Sequence, residues 1–177
     1  MRTATVMLVS ALALSLAACH GPAQPAAAPK DASAEAPPAA EAPAPAPAAV
    51  TLPTVDTAAV QARLTPDNTL EALTFEAAGS TTASGAIKGY KAPVYAVPVA
   101  AGQTLTVAFK PSNTSQYMNV TDAADTTGAA VHRGEVDGAD ASLTAAKDTI
   151  YLLQPFMVRA AARRGESGTF EISVTRK

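Results

Sequence analysis

The 177-residue sequence contains one cysteine, no tryptophan and only two histidines. A single cysteine excludes an internal disulfide, and no Cys/His cluster with zinc-ligand spacing is present. His20 lies in a Pro-rich segment and His132 in a turn-rich segment, neither beside a catalytic motif. The sequence therefore predicts no enzyme, no metal site and no cofactor. The absence of tryptophan means that a core must depend mainly on Leu, Val, Ile and Tyr.

The chain also lacks an excess of positive charge. Lys and Arg number 13 against 15 Asp and Glu, for a net charge of −2. This balance excludes a broad basic surface for nucleic acid or for an anionic membrane. The acidic turn 135–140 lacks the spacing of a calcium-binding loop. Beyond residue 18 no apolar run is long enough to span a bilayer.

The N-terminus has a short apolar run that ends in Leu16-Ala17-Ala18-Cys19. Small residues directly before a cysteine resemble the lipobox of bacterial lipoproteins. The resemblance implies that 1–18 is a signal peptide and that acyl chains such as palmitate attach to Cys19. His20, rather than Asp, follows the cysteine, which is similar to sorting to the outer membrane, facing the periplasm. The alternative is an ordinary secretory signal with a chance cysteine.

Residues 20 to 50 are almost only Ala, Pro and a few charges. Pro lacks a backbone N–H and Ala buries little surface, so such a segment cannot form a core. We expect 19–67 to be a lipidated, disordered linker. Thr57–Leu64 is long enough for a short helix, but no strong apolar periodicity supports one. The folded domain is expected at 68–177.

Residues 68–177 alternate between apolar and polar positions, with Gly, Pro, Asn and Asp between the runs. Pro93 and Pro98 place their strand near a sheet edge. Seven or eight short strands without a long helix predict an all-β fold, a single antiparallel β-sandwich. The predicted strands are Leu70–Glu76, Ala83–Tyr90, Val94–Val99, Gln103–Lys110, Tyr117–Thr121, a short one around Ala129–Arg133, Thr149–Val158 and Gly168–Thr175.

Three arginines, Arg159, Arg163 and Arg164, lie within six residues before the closing strand. One interpretation is a solvated loop in which Arg163 or Arg164 pairs with Glu166. The other is a binding surface, since Arg and Tyr are enriched among the residues that dominate interfaces.

The block Gly85-Ala86-Ile87-Lys88-Gly89-Tyr90, then Tyr95, Ala101-Gly102-Gln103 and Arg159-x-x-x-Arg163, resembles the periplasmic inhibitors of g-type (goose-type) lysozyme. The resemblance runs from about Leu70 to Thr175. It implies a g-type lysozyme as protein partner and loops that enter the substrate cleft of that enzyme. The matching site residues are Tyr90, Arg159 and Arg163, with Arg164, Lys88 and Ser84 as further candidates.

The same framework is similar to a wider group of bacterial β-sandwiches of the pre-peptidase C-terminal type. That similarity implies the alternative function, a non-catalytic envelope module that recognises glycan or another envelope protein. In that case the arginines would brace the sandwich internally. The sequence leaves the oligomeric state open.

Overall fold

The computed structural model describes residues 50–76 and 79–177. The predicted signal peptide, Cys19 and most of the predicted linker lie outside the described residues. The described part has three short helices, α1 (Thr57–Gln61), α2 (Gly134–Asp137) and α3 (Arg159–Arg163). Its strands are β1 (Asn68–Ala72), β2 (Ser80–Lys88), β3 (Ala92–Val99), β4 (Thr104–Pro111), β5 (Gln116–Asp122), β6 (Ala130–Arg133), β7 (Ala141–Thr144), β8 (Thr149–Met157) and β9 (Ser167–Arg176).

The nine strands form two sheets, which confirms the predicted β-sandwich. Sheet A has the order β1-β3-β8-β5-β6, and sheet B has the order β2-β9-β4-β7. Every pairing is antiparallel except that of β1 with β3, which is parallel. The parallel pair is possible because β2, which lies between them in the chain, crosses to the other sheet.

The core lies between the two sheets and follows the period-two pattern. Leu105, Val107 and Phe109 of β4 are buried, as are Phe170 and Ile172 of β9. Met118 and Leu153 contribute from sheet A. Because successive side chains of a strand point to opposite faces, these alternating apolar residues place the polar ones outside.

β3 is the second strand of sheet A, next to the edge strand β1, so it lies near an edge as Pro93 and Pro98 indicated, although it is not itself the edge strand. The pairing of β1 with β3 ends at Ala96 of β3, so Pro98 has no partner in β1. The missing N–H of Pro98 therefore leaves no gap in that ladder. β7 was not predicted, because its four residues carry little strand signal and it is held by pairing with β4.

Helix α1 packs on the outer face of sheet A. Its Val60 is buried in a second apolar cluster with Val94, Ala96 and Leu152. The Gln61 side chain donates to the Asn68 carbonyl at 3.1 Å and accepts from the Leu70 N–H at 2.7 Å. The amide thereby pairs backbone groups at the free edge of β1. In the described residues no helix is long and apolar enough to cross a membrane.

Candidate functional site

The candidate residues are concentrated at the end of the sandwich where β2 turns into β3 and β8 leads to β9. Tyr90 was predicted on a strand, but β2 ends at Lys88 and Gly89-Tyr90 form a tight turn. The backbone groups of Lys88 and Lys91 pair across this turn at 2.9 and 3.0 Å. Gly89 has a positive φ of 59°, a conformation that glycine adopts without steric cost. The turn leaves the Tyr90 side chain 53% exposed.

The turn contacts the segment that carries the arginines. The Gly89 N–H donates to the Glu166 carbonyl at 2.8 Å. A Cβ atom at Gly89 would lie 3.2 Å from the carbonyl oxygen of Ala162. Tyr90 and Arg163 each adjoin one of these contact residues in sequence. The fold therefore brings the tyrosine and the arginine segment to the same end of the molecule.

The arginine segment is a helix, α3, rather than a solvated loop. Ala161 and Ala162 of this helix are buried, whereas Arg159 and Arg163 are exposed. Residues four apart lie on the same helix face, so both guanidinium groups leave α3 on one side. Among the described residues, neither of these two arginines has a carboxylate within 4 Å. Their hydrogen-bond donors are available to a partner.

Arg164 differs from the two arginines before it. Its guanidinium pairs with Glu166, with its Nη2 atom 2.6 Å and its Nε atom 2.7 Å from Oε1. The same glutamate provides the carbonyl that binds Gly89. Arg164 therefore belongs to the support of the turn, as one of the two interpretations of the loop predicted.

This end of the sandwich is strongly cationic on a chain of net negative charge. Segments 88–91 and 159–166 together carry five basic residues and one acidic residue. Lys88 and Lys91 are both exposed, and Lys91 was not among the predicted site residues. Such a local excess of one sign attracts an acidic cleft on a partner.

Ser84 is separated from the other candidates. It is exposed on β2, opposite Glu171 of β9, four residues before Lys88. At about 3.3 Å per residue, this spacing puts the two α-carbons roughly 13 Å apart. Ser84 thus lies on the face of sheet B and not at its end.

A second feature at this end had no signal in the sequence motifs. A cleft of about 380 Å³ opens beside Tyr90 on the outer face of sheet A. Asn119 of β5 and Gln154 and Phe156 of β8 line it, together with Asn68 at the start of β1. We call it the sheet A cleft. The cleft residues of β5 and β8 lie on the outer face of these strands, whose inner-face residues such as Val120 and Leu153 are buried in the core.

The described residues contain no group of three or more His, Cys, Asp or Glu side chains that could hold a metal ion. His132 is buried, with Nε2 2.9 Å from the Gly138 carbonyl oxygen. This contact connects β6 to the turn after α2, which is a structural role.

No protein-family model matches the sequence, and no curated protein matches it significantly. Among solved structures, PliG of Aeromonas hydrophila, a periplasmic lysozyme inhibitor of g-type lysozyme, is 28% identical. The match covers 62% of this chain and 97% of that inhibitor, with a TM-score of 0.55.

A PliG mutant from Escherichia coli is 22% identical over 62% of this chain and 98% of its own, with a TM-score of 0.48. The pre-peptidase C-terminal domain of Bacillus anthracis collagenase is 18% identical over 61% of this chain and 94% of its own, with a TM-score of 0.43. The chain is thus similar in structure to the periplasmic inhibitors of g-type lysozyme, in agreement with the resemblance of its sequence.

Proposed function

We propose that this protein is a lipid-anchored protein of the bacterial cell envelope that binds and inhibits a g-type lysozyme. In this proposal Cys19 carries the lipid at the periplasmic face of the outer membrane, and the Pro-rich linker connects it to the sandwich. The protein acts by binding alone and catalyses no reaction. The inhibitory surface is the cationic end, with Tyr90, Arg159 and Arg163 as the central contacts.

The chemistry of a lysozyme cleft explains why these residues suit the task. Glycoside hydrolysis requires carboxyl groups in the cleft that binds the sugar chain. A guanidinium forms short, charge-assisted and frequently bidentate hydrogen bonds to a carboxylate. Arg159 and Arg163, on one exposed face of α3, can reach such groups where substrate must bind. Inhibition is therefore expected to be competitive.

Tyr90 and the surrounding lysines supply the rest of the surface. The exposed Tyr90 ring offers a rigid apolar face with a polar tip. Lys88 lies at the rim, where charges act more on the association rate than on the affinity. Arg164 contributes by supporting the turn through Glu166. Ser84 is the candidate most distant from the arginines, because it lies on the face of sheet B.

The observation that carries the proposal is the exposure of Arg159 and Arg163, four residues apart on α3, on a domain similar to a g-type lysozyme inhibitor over nearly all of that inhibitor's length. An internal bracing role for Arg159 and Arg163 would require buried guanidinium groups with acceptors in the sandwich. Both side chains are instead exposed and have no carboxylate within 4 Å among the described residues.

The test is the clearing of peptidoglycan by a g-type lysozyme in the presence of the full chain, produced with Cys19→Ser to avoid lipid. We expect inhibition of the g-type enzyme and none of a chicken-type lysozyme. Arg159→Ala and Arg163→Ala are each expected to raise the inhibition constant at least about tenfold, since a hydrogen bond to a charged group contributes about 1.5–3 kcal/mol.

The matched control is Lys147→Ala, which removes one exposed positive charge from the loop between β7 and β8 at the opposite end. It should leave the inhibition constant within about twofold, because exposed charges beyond a Debye length are screened. Equal loss in all three variants would show that net charge alone is responsible. No inhibition by micromolar protein would contradict the proposed function.

A further inference from the structure

We propose that the sheet A cleft is a binding site for a glycan that contains N-acetylated amino sugars, separate from the arginine surface. The cleft has an aromatic wall. Phe156 lines it and packs on Tyr117, with ring centroids 6.0 Å apart and planes at 31°. Tyr90 stands at its rim. Sugar rings have apolar C–H faces, and covering such a face with an aromatic ring removes apolar surface from water.

The floor of the cleft carries two side-chain amides. Asn119 and Gln154 are directly opposite each other in the β5–β8 register, and Tyr117 and Phe156 are directly opposite each other two positions further along. Directly opposite residues of an antiparallel pair have Cβ atoms about 5 Å apart. The two amides and the Phe156 ring therefore line one continuous surface on the outer face of sheet A, with Tyr117 packed against Phe156.

Each amide uses only one of its two polar ends within the described residues. Asn119 Oδ1 accepts from the Gly134 N–H at 3.2 Å, and Gln154 Nε2 donates to Thr121 Oγ1 at 3.2 Å. The donor of Asn119 and the acceptor of Gln154 have no protein partner there. An acetamido group presents one C=O and one N–H, so it complements this adjacent donor and acceptor.

The strands beneath the cleft favour a glycan over a peptide. Extended peptides commonly bind by adding a strand to an exposed sheet edge. β5 and β8 are both internal strands of sheet A, and their backbone groups pair with their neighbours. On β5 and β8 the cleft therefore offers side chains rather than free backbone groups, which matches the recognition of ring faces and acetamido groups.

The experiment is calorimetric titration of the full chain, produced with Cys19→Ser, with an oligosaccharide of β-1,4-linked N-acetylglucosamine. The same oligomer without acetyl groups serves as the chemical control. We expect saturable binding of the acetylated oligomer and at least about tenfold weaker binding of the deacetylated one, equivalent to 1.4 kcal/mol.

Two variants assign the site. Asn119→Asp retains an oxygen for the Gly134 N–H but removes the free donor, and it should weaken binding about fivefold or more. Phe156→Leu removes the flat ring face with little change in apolarity, whereas Phe156→Tyr retains the ring and should bind as the parent does. Thermal melting of each variant separates loss of binding from loss of the fold. Arg159→Ala should leave glycan binding unchanged.

No binding at millimolar oligosaccharide would overturn the proposal. So would equal affinity for the acetylated and deacetylated oligomers, because the amide pair would then have no role. Binding of a synthetic peptide of residues 20–49 in place of the glycan would assign the cleft to the chain's own linker and also overturn it.

Discussion

At the scale of single residues, arginines take two roles in this protein. Arg176 is a brace: its guanidinium lies 3.6 Å from the centre of the Phe75 ring, and Nη1 donates to the Pro98 carbonyl at 2.9 Å. Burial lowers the pKa of Arg176. Arg159 and Arg163 have no such partners in the described residues and point to solvent. The guanidinium groups of Arg159 and Arg163 on α3 are therefore available for recognition.

Tyr95 gives the first residue-scale prediction. Its hydroxyl is buried in the core without a hydrogen-bond partner in the described residues. An unsatisfied buried polar group costs about 1–3 kcal/mol. Tyr95→Phe is therefore expected to raise the free energy of unfolding by about 1 kcal/mol in urea at neutral pH. Tyr117→Phe, on the outer face, is the control and should change it little. A lower stability of Tyr95→Phe would contradict the expectation.

The same hydroxyl gives a dependence on pH. Burial, and then the nearby charge of Glu71, raise the pKa of Tyr95 from 10.0 to about 12. The unfolded chain therefore releases this proton at a lower pH than the folded chain does. The associated stability is complete below pH 10 and is lost as the pH rises from 10 towards 12. Tyr95→Phe should reduce this alkaline loss of stability in urea unfolding at pH 7 and pH 11.

At the scale of elements, the turn between β2 and β3 and helix α3 act as one unit. The Gly89–Glu166 hydrogen bond and the close approach of Gly89 to Ala162 hold Tyr90 beside the arginines. Two features favour glycine at position 89. Its φ is positive, and a side chain there would contact helix α3 at the carbonyl oxygen of Ala162. The sequence placed Gly89 within the predicted strand Ala83–Tyr90, so neither the turn nor its contact with α3 was predicted.

Gly89→Ala tests this unit. An alanine at positive φ costs about 1–2 kcal/mol, and its Cβ would lie 3.2 Å from the Ala162 oxygen. We expect a lower melting temperature together with weaker inhibition of the g-type lysozyme. Gly102→Ala is the matched control, since Gly102 has a φ of 82° but no atom within 4 Å of the added Cβ. Equal loss of inhibition in both variants would show that the contact between the turn and α3 is not what inhibition depends on.

At the scale of the whole molecule, the proposed anchor and the sandwich have separate tasks. The lipid would concentrate the domain in the envelope, and the cationic end would bind the enzyme. α1 shows that the folded part begins before β1, since Val60 packs on sheet A. The folded structure therefore includes part of the segment that the sequence assigned to the linker.

The anchor gives the whole-molecule prediction. In a bacterium that processes lipoproteins, the parent chain should label with palmitate and sediment with outer membranes. Cys19→Ser should lose the label and leave the membrane fraction, because in this proposal all the acyl chains that anchor the protein are attached to Cys19. The purified Cys19→Ser chain should still inhibit in solution. Retention of the variant on membranes without label would contradict lipid anchoring through Cys19.

The sequence by itself determined the β-sandwich, because alternating apolar residues such as Leu105, Val107 and Phe109 specify buried strand faces wherever the strands pair. It also supplied Arg159, Arg163 and Tyr90 as candidate site residues through a resemblance. It could not supply β7 or the internal place of β3, which depend on pairing between segments distant in the chain. Only the tertiary structure joined the Tyr90 turn to α3 and placed Asn119 opposite Gln154, because those contacts arise from strand register and sheet order.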